Sequence, residues 1–269
     1  MRTWRAHKLP GHTARPTTSA SKTVLTALTA AFLSLASVVG TPTAGAIAKG
    51  EKASRPDVVQ VHIKDDGTPH RCTATALNEE WVLTAAHCVE GPSYSAPDVS
   101  PDVLKVFYSN NKANPGPETK VDRFVKHSRA DIALLHVDTP HKLESYPEIQ
   151  GEHPFVQDEE VELYGYGKGF QDEPIDWLHK ARLKVTGLQD HINAGELLVM
   201  KGITGGSNHG DSGGPVFNKD GRLLAVNVIG SHVIWADPYA ESKAVDLQHY
   251  EDWIHETIDG AHQSPPDGG

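Results

Sequence analysis

Short runs of β-branched and aromatic residues, separated by turn residues, recur along most of the chain. Val58 to Ile63, Thr73 to Leu77, Val103 to Tyr108, Ile132 to Val137, Val161 to Tyr164, Leu183 to Leu188, Glu196 to Met200, Val216 to Phe217 and Leu223 to Ile229 each read as a strand. Several alternate apolar and polar residues, as half-buried strands do. Asp66-Gly67, Asn114-Pro115-Gly116-Pro117 and Lys219-Asp220-Gly221 supply turns between them. One segment has a different period: Tyr250, Trp253, Ile254 and Ile258 recur at helical spacing, and Asp259-Gly260 marks the expected end of that helix. The pattern predicts an all-β protein with strands enough for two β-barrels and one C-terminal helix. The boundary between barrels is expected near Pro147 to Pro154, dividing residues 47–150 from 151–260. Residues 261–269, rich in Pro and Gly, read as a disordered tail.

The first 46 residues follow another pattern. Arg2, Arg5, Lys8, Arg15 and Lys22 precede an apolar run from Thr23 to Gly40 with no acidic residue among them. Thr41-Pro42-Thr43-Ala44-Gly45-Ala46 then offers small residues at Ala44 and Ala46. A basic region, a short apolar core and an A-x-A ending read as a secretory signal peptide, so the protein is expected outside the cell with no stable membrane anchor. The net charge of the 269-residue chain is −10, and removing the five leader cations leaves −15. So acidic a surface argues against a nucleic-acid partner and against adsorption to anionic membranes. A monomer is expected. The 16 histidines include no HExxH pair, and neither an EF-hand loop nor a phosphate-cradling or dinucleotide glycine motif is present. No metal and no cofactor are expected.

The chemistry concentrates in Ser207-Asn208-His209-Gly210-Asp211-Ser212-Gly213-Gly214-Pro215. A serine hydroxyl is a weak nucleophile until a base takes its proton and donors hold the oxyanion that its attack creates. The glycines let the backbone turn tightly enough for the N–H groups of Gly210 and Ser212 to converge on one point. Upstream, Thr84-Ala85-Ala86-His87-Cys88 places a histidine after the apolar Trp81-Val82-Leu83, and Asp131-Ile132-Ala133-Leu134-Leu135 opens a strand-like run with an aspartate. Ser212 as nucleophile, His87 as base and Asp131 as orienter make a complete triad. Gly210-Asp211-Ser212-Gly213-Gly214 also fits the serine elbow of esterases, but those place the serine first in the chain and alternate strands with helices.

The motifs Trp81 to Cys88, Asp131 to Leu135 and Gly210 to Pro215, in that order, resemble the trypsin/chymotrypsin family of serine proteases. The resemblance implies two six-stranded antiparallel β-barrels with a C-terminal helix, protein or peptide substrates, and cofactor-free hydrolysis. It also implies a Cys72–Cys88 bridge tying the histidine loop to the preceding strand, and a buried ion pair between a freed Ile47 amino terminus and Asp211. Animal members carry more bridges, so a bacterial-type member is expected. In the family the residue six before the serine lies at the base of the primary pocket and an aspartate there selects Arg or Lys; here it is Gly206, so trypsin-like preference is not expected. Ser207, Gly230 and Ser242 are the remaining pocket candidates. Glu241 as a displaced acid, or Ser207 with His209 or His232 against an acidic side chain, are the other readings of the pocket. Val228 and Ile229 replace the usual Ser and Trp, and the missing Ser bears on how Asp131 is held. The function read from the sequence is secreted endopeptidase, with a catalytically silent homologue acting as a binding module as the alternative.

Overall fold

The computed structural model describes residues 47–64, 70–91 and 97–263. The expected leader, residues 1–46, and the last six residues of the expected tail lie outside them. Among the described residues thirteen strands form: β1 (Glu51–Lys52), β2 (Val58–Ile63), β3 (His70–Ala76), β4 (Trp81–Thr84), β5 (Leu104–Phe107), β6 (Thr119–Lys126), β7 (Ala133–Val137), β8 (Glu160–Gly165), β9 (His179–His191), β10 (Gly195–Gly202), β11 (Pro215–Phe217), β12 (Leu223–Gly230) and β13 (Glu241–Asp246). One helix, α1 (Glu251–Gln263), follows.

Two six-stranded antiparallel barrels result. The first closes in the order β2-β3-β4-β7-β6-β5. The second runs β9-β10-β13-β12-β11-β8 and closes through β8 against β9, while β1 pairs with the start of β9. β9 shows why the sequence chooses this form. His179, Ala181, Leu183 and Val185 are buried while the residues between them are not, as a barrel wall with one dry face requires. Residues 138–159 connect the two barrels.

Three elements differ from the sequence reading. β6 and β13 carry Lys120, Asp122, Arg123, Glu241 and Lys243, whose charges dilute the apolar signal although the strands are paired on both sides. The helix continues beyond Asp259-Gly260 to Gln263. Gly260 is absent from the positive-φ residues, so it adopts no left-handed cap and costs the helix only about 1 kcal/mol relative to alanine.

Cys72 in β3 and Cys88 after β4 form a disulfide, with Cα atoms 6.3 Å apart. Closing a loop of this size restricts the unfolded chain by about 3 kcal/mol. Cys72→Ala with Cys88→Ala should therefore lower the unfolding free energy by about that amount in urea titration. A pair variant as stable as the parent would show that the bridge contributes nothing.

Candidate active site

His87 lies in a short 3-10 turn, Ala86–Cys88, immediately after β4, and Asp131 lies two residues before β7. Because β4 and β7 are paired from Trp81↔His136 to Thr84↔Ala133, the barrel wall itself brings the two residues together. The His87 backbone N–H donates to Asp131 Oδ1 at 2.9 Å, and Nδ1 lies 2.7 Å from Oδ2. An ionised carboxylate only accepts, so Nδ1 carries the proton and Nε2 is left with its lone pair. Burial pulls the imidazole towards its neutral form. The hydrogen bond and charge of Asp131, with Glu90 nearby, outweigh that and raise its pKa above the ordinary 6.5.

Ser212 comes from the other barrel, on the turn leading into β11. That turn is bonded within itself, Asp211 N–H to Asn208 O and Gly214 N–H to Asp211 O, both at 3.0 Å. Gly213 has φ of +80°, and a Cβ there would strike Thr84 Oγ1 and Thr73 O, so no other residue fits. Gly210 has φ of +94°, and its preceding carbonyl, that of His209, accepts the Lys168 N–H at 2.8 Å. In a trans peptide the C=O and the following N–H point in opposite directions. The Gly210 N–H is thereby turned away from Lys168. Among the described residues neither it nor the Ser212 N–H donates to a protein acceptor. His87, Gly210 and Ser212 line one cleft of about 1070 Å³, together with Arg71, Lys112 and Tyr166. No hydrogen bond joins Ser212 Oγ to His87 among the described residues, a looseness common in sites without substrate.

Asp211 is fully buried and accepts from Gly167 N at 2.7 Å and Asn208 N at 2.8 Å. Burial drives its carboxyl up to about 7, against those two N–H groups and the charge of Lys112. Ile47 is fully buried among Val161, Leu163, Leu183 and other core residues of the second barrel, and Ala48 forms an antiparallel bridge with Gly206.

The pocket candidates also gather. Ser207 N and Oγ lie 3.1 and 3.0 Å from Ser242 Oγ, Gly230 pairs with Ser242 across β12 and β13, and a Cβ on Gly230 would stand 3.2 Å from Ser207 Oγ. Gly206 faces Pro238 O, Ala240 O and Ile234 Cδ1. Of the alternatives, Glu241 is exposed and paired with Lys243 at 3.2 Å, His232 is exposed, and His209 lines the cleft. Val228 is 7% exposed in the apolar core, and the two oxygens of Asp131 are held by His87 alone among the described residues. Cys72, His87 and Cys88 cluster within 4.8 Å, but disulfide sulfurs lack the thiolate charge that binds a metal.

Sequence reasoning gave no role to Thr73 and Lys168, which hold the nucleophile turn from outside, or to Asn208, which ties the turn to a neighbouring loop. Asn208 Nδ2 donates to Gly169 O at 2.8 Å. Their contacts span tens of residues and belong to no local motif.

Two antiparallel barrels with a His–Asp pair on one and a serine turn on the other define the chymotrypsin-like serine protease fold. The chain matches the Trypsin family over residues 47–254 and belongs to it. Serine protease SP24D of Anopheles gambiae is 26% identical over 205 residues, 71% of this chain and 73% of that protein. Tryptase of Mus musculus is 27% identical over 228 residues, 74% of this chain and 83% of that protein. The crystal structure of the scabies mite inactivated protease paralogue S-D1 superposes with a TM-score of 0.66 at 20% identity, covering 80% of this chain and 98% of that one. At that identity the likeness is one of fold. These relatives are animal proteins, and the expectation of a bacterial-type member finds no support among them. No described helix is long and apolar enough to cross a membrane.

Proposed function

We propose that this chain is a secreted, monomeric serine endopeptidase working through an acyl-enzyme. The observation that carries the reading is the His87 imidazole, fixed by two bonds to Asp131, with Nε2 unbonded among the described residues, lining the same cleft as Ser212 and Gly210, whose N–H is turned away from Lys168. Ser212 Oγ bonds to the scissile carbonyl carbon and its proton passes to His87 Nε2. The N–H groups of Gly210 and Ser212 hold the oxyanion. His87 then returns the proton to the departing amine, and water repeats the sequence to release the acid. That the two oxygens of Asp131 are held by His87 alone among the described residues favours the second reading, a silent homologue that binds without cleaving.

Gly206, Ser207, Gly230 and Ser242 form the primary pocket in this reading. With Ile234 Cδ1 and the Pro238 and Ala240 carbonyls nearest to Gly206, and glycine instead of aspartate at that position, it suits a small or apolar side chain, while an unpaired guanidinium inside it is costly. Digestion of a peptide mixture, read by mass spectrometry, is expected to show cleavage after small or apolar residues and little after Arg or Lys. Cleavage confined to Arg and Lys would overturn the pocket assignment and point to Glu241.

Signal peptidase makes the activating cut in this reading, and the Ile47 ammonium pairs with Asp211. As long as Ile47 remains in a peptide bond, Asp211 has no such partner, and its carboxyl titrates near 7 instead of 3.8. The folded chain then keeps a proton that the unfolded chain releases, so stability falls as pH rises from 3.8 to about 7. A chain beginning at Ile47 should lose that slope, and Asp211→Asn in it should cost about 3–5 kcal/mol. Urea unfolding of both chains across this pH range decides. An identical slope in the two would rule out the pair.

A further inference from the structure

We infer that the Thr73 hydroxyl is a positioning residue for oxyanion stabilisation, a latch that holds Gly210 with its N–H in the cleft. The inference rests on the endopeptidase reading of the same site. Thr73 is fully buried on β3, next to the disulfide, and every polar atom it has is used on the catalytic seam. Its Oγ1 lies 2.9 Å from Gly210 O and 3.0 Å from Tyr166 N. Its own N–H donates to Ser212 O at 2.8 Å, and its carbonyl accepts from Thr84 Oγ1 at 2.8 Å.

The direction of the hydroxyl proton follows from these neighbours. The Tyr166 N–H can only donate, so it occupies an Oγ1 lone pair, and the Gly210 carbonyl can only accept, so the hydroxyl proton goes to it. Tyr166 is itself anchored on the first barrel, its hydroxyl donating to Val58 O at 2.7 Å.

Gly210 needs such a latch because a glycine at φ of +94° has no side chain to restrict it. Its two flanking peptides are held separately. Lys168 N–H fixes the carbonyl before Gly210, and Thr73 Oγ1 fixes the carbonyl of Gly210 itself, while Asp211 N–H donates to Asn208 O. Removing the hydroxyl leaves the 210–211 peptide held only through Asp211 N–H and strands both the Gly210 carbonyl and the Tyr166 N–H.

Thr73→Val keeps the shape and removes only the hydroxyl; Thr73→Ser keeps the hydroxyl and removes only a methyl. The probe is a fluorophosphonate, which needs no knowledge of the preferred peptide and develops negative charge on its phosphoryl oxygen when Ser212 attacks. With Thr73→Val the limiting inactivation rate is expected to fall about 10- to 100-fold while the half-saturating concentration stays unchanged. Thr73→Ser is expected to stay within about threefold of the parent on both. Thr73→Val reacting as fast as the parent, or losing rate only in proportion to its folded fraction, would overturn the latch. Thr73→Ala carries the same comparison if the valine variant does not fold. A parent chain inert to the probe would instead remove the endopeptidase reading. In that case a crystal structure of Thr73→Val decides alone: a 209–210 peptide rotated out of the cleft supports the latch, and an unmoved one overturns it.

Discussion

Replacing Ser212 with alanine is expected to lower the turnover of any peptide the parent cleaves by about six orders of magnitude. The alanine leaves nothing to form the acyl-enzyme, and water then attacks with the oxyanion held only by the N–H groups of Gly210 and residue 212. Those donors and substrate binding retain about 10³–10⁴ over the uncatalysed reaction. His87→Ala should fall to a similar floor, and the double variant little further, because nucleophile and base act as one unit. The fold should survive the change, since Ser212 is held through its carbonyl by Thr73 N–H, and its Oγ makes no described hydrogen bond. The check is kcat for the three variants on one peptide, with circular dichroism for folding. Retained turnover in Ser212→Ala would remove Ser212 from the mechanism.

Asp131→Asn should lower kcat by about 10⁴ with little change in structure. The amide can donate where the carboxylate only accepted, so the imidazole adopts the other tautomer and presents N–H, not a lone pair, to Ser212. The pH dependence should move as well. Above its raised pKa His87 is the neutral base, so kcat/KM in the parent should rise with pH through a midpoint above 6.5. Losing the Asp131 charge lowers that midpoint. The same pair affects stability in the opposite sense. The His87 contribution is full below the unfolded value of 6.5 and is lost as pH rises through the folded value, and Asp131→Asn removes it. A parent and variant with the same acid limb would separate Asp131 from His87 in function despite their 2.7 Å contact.

Much of the candidate site is legible in the sequence, because its three motifs are local. Ala85-Ala86-His87-Cys88 ends an apolar strand, Asp131 begins one, and Gly210 to Pro215 contains its own turn. The barrels were legible where strands alternate, as in β9, and hidden where they carry charge, as in β6 and β13. The supports of the nucleophile turn were not legible, since Thr73 reaches Gly210 across 137 residues and Tyr166 across 93. A threonine inside a strand otherwise reads as a favourable strand residue and no more. Of the proposed pocket, Gly206 was named from its spacing to Ser212, while Ile234 and Ala240, which face it, lie in the loop between β12 and β13 that no spacing rule reaches.

Intact mass after treatment with a fluorophosphonate, on an exported chain beginning at Ile47, tests the endopeptidase reading most directly. One adduct on that chain, absent from Ser212→Ala, is the predicted result, and it requires nucleophile, base and oxyanion donors assembled together. A folded chain beginning at Ile47 that takes up no adduct would contradict the reading, leaving a homologue that binds peptides without cutting them.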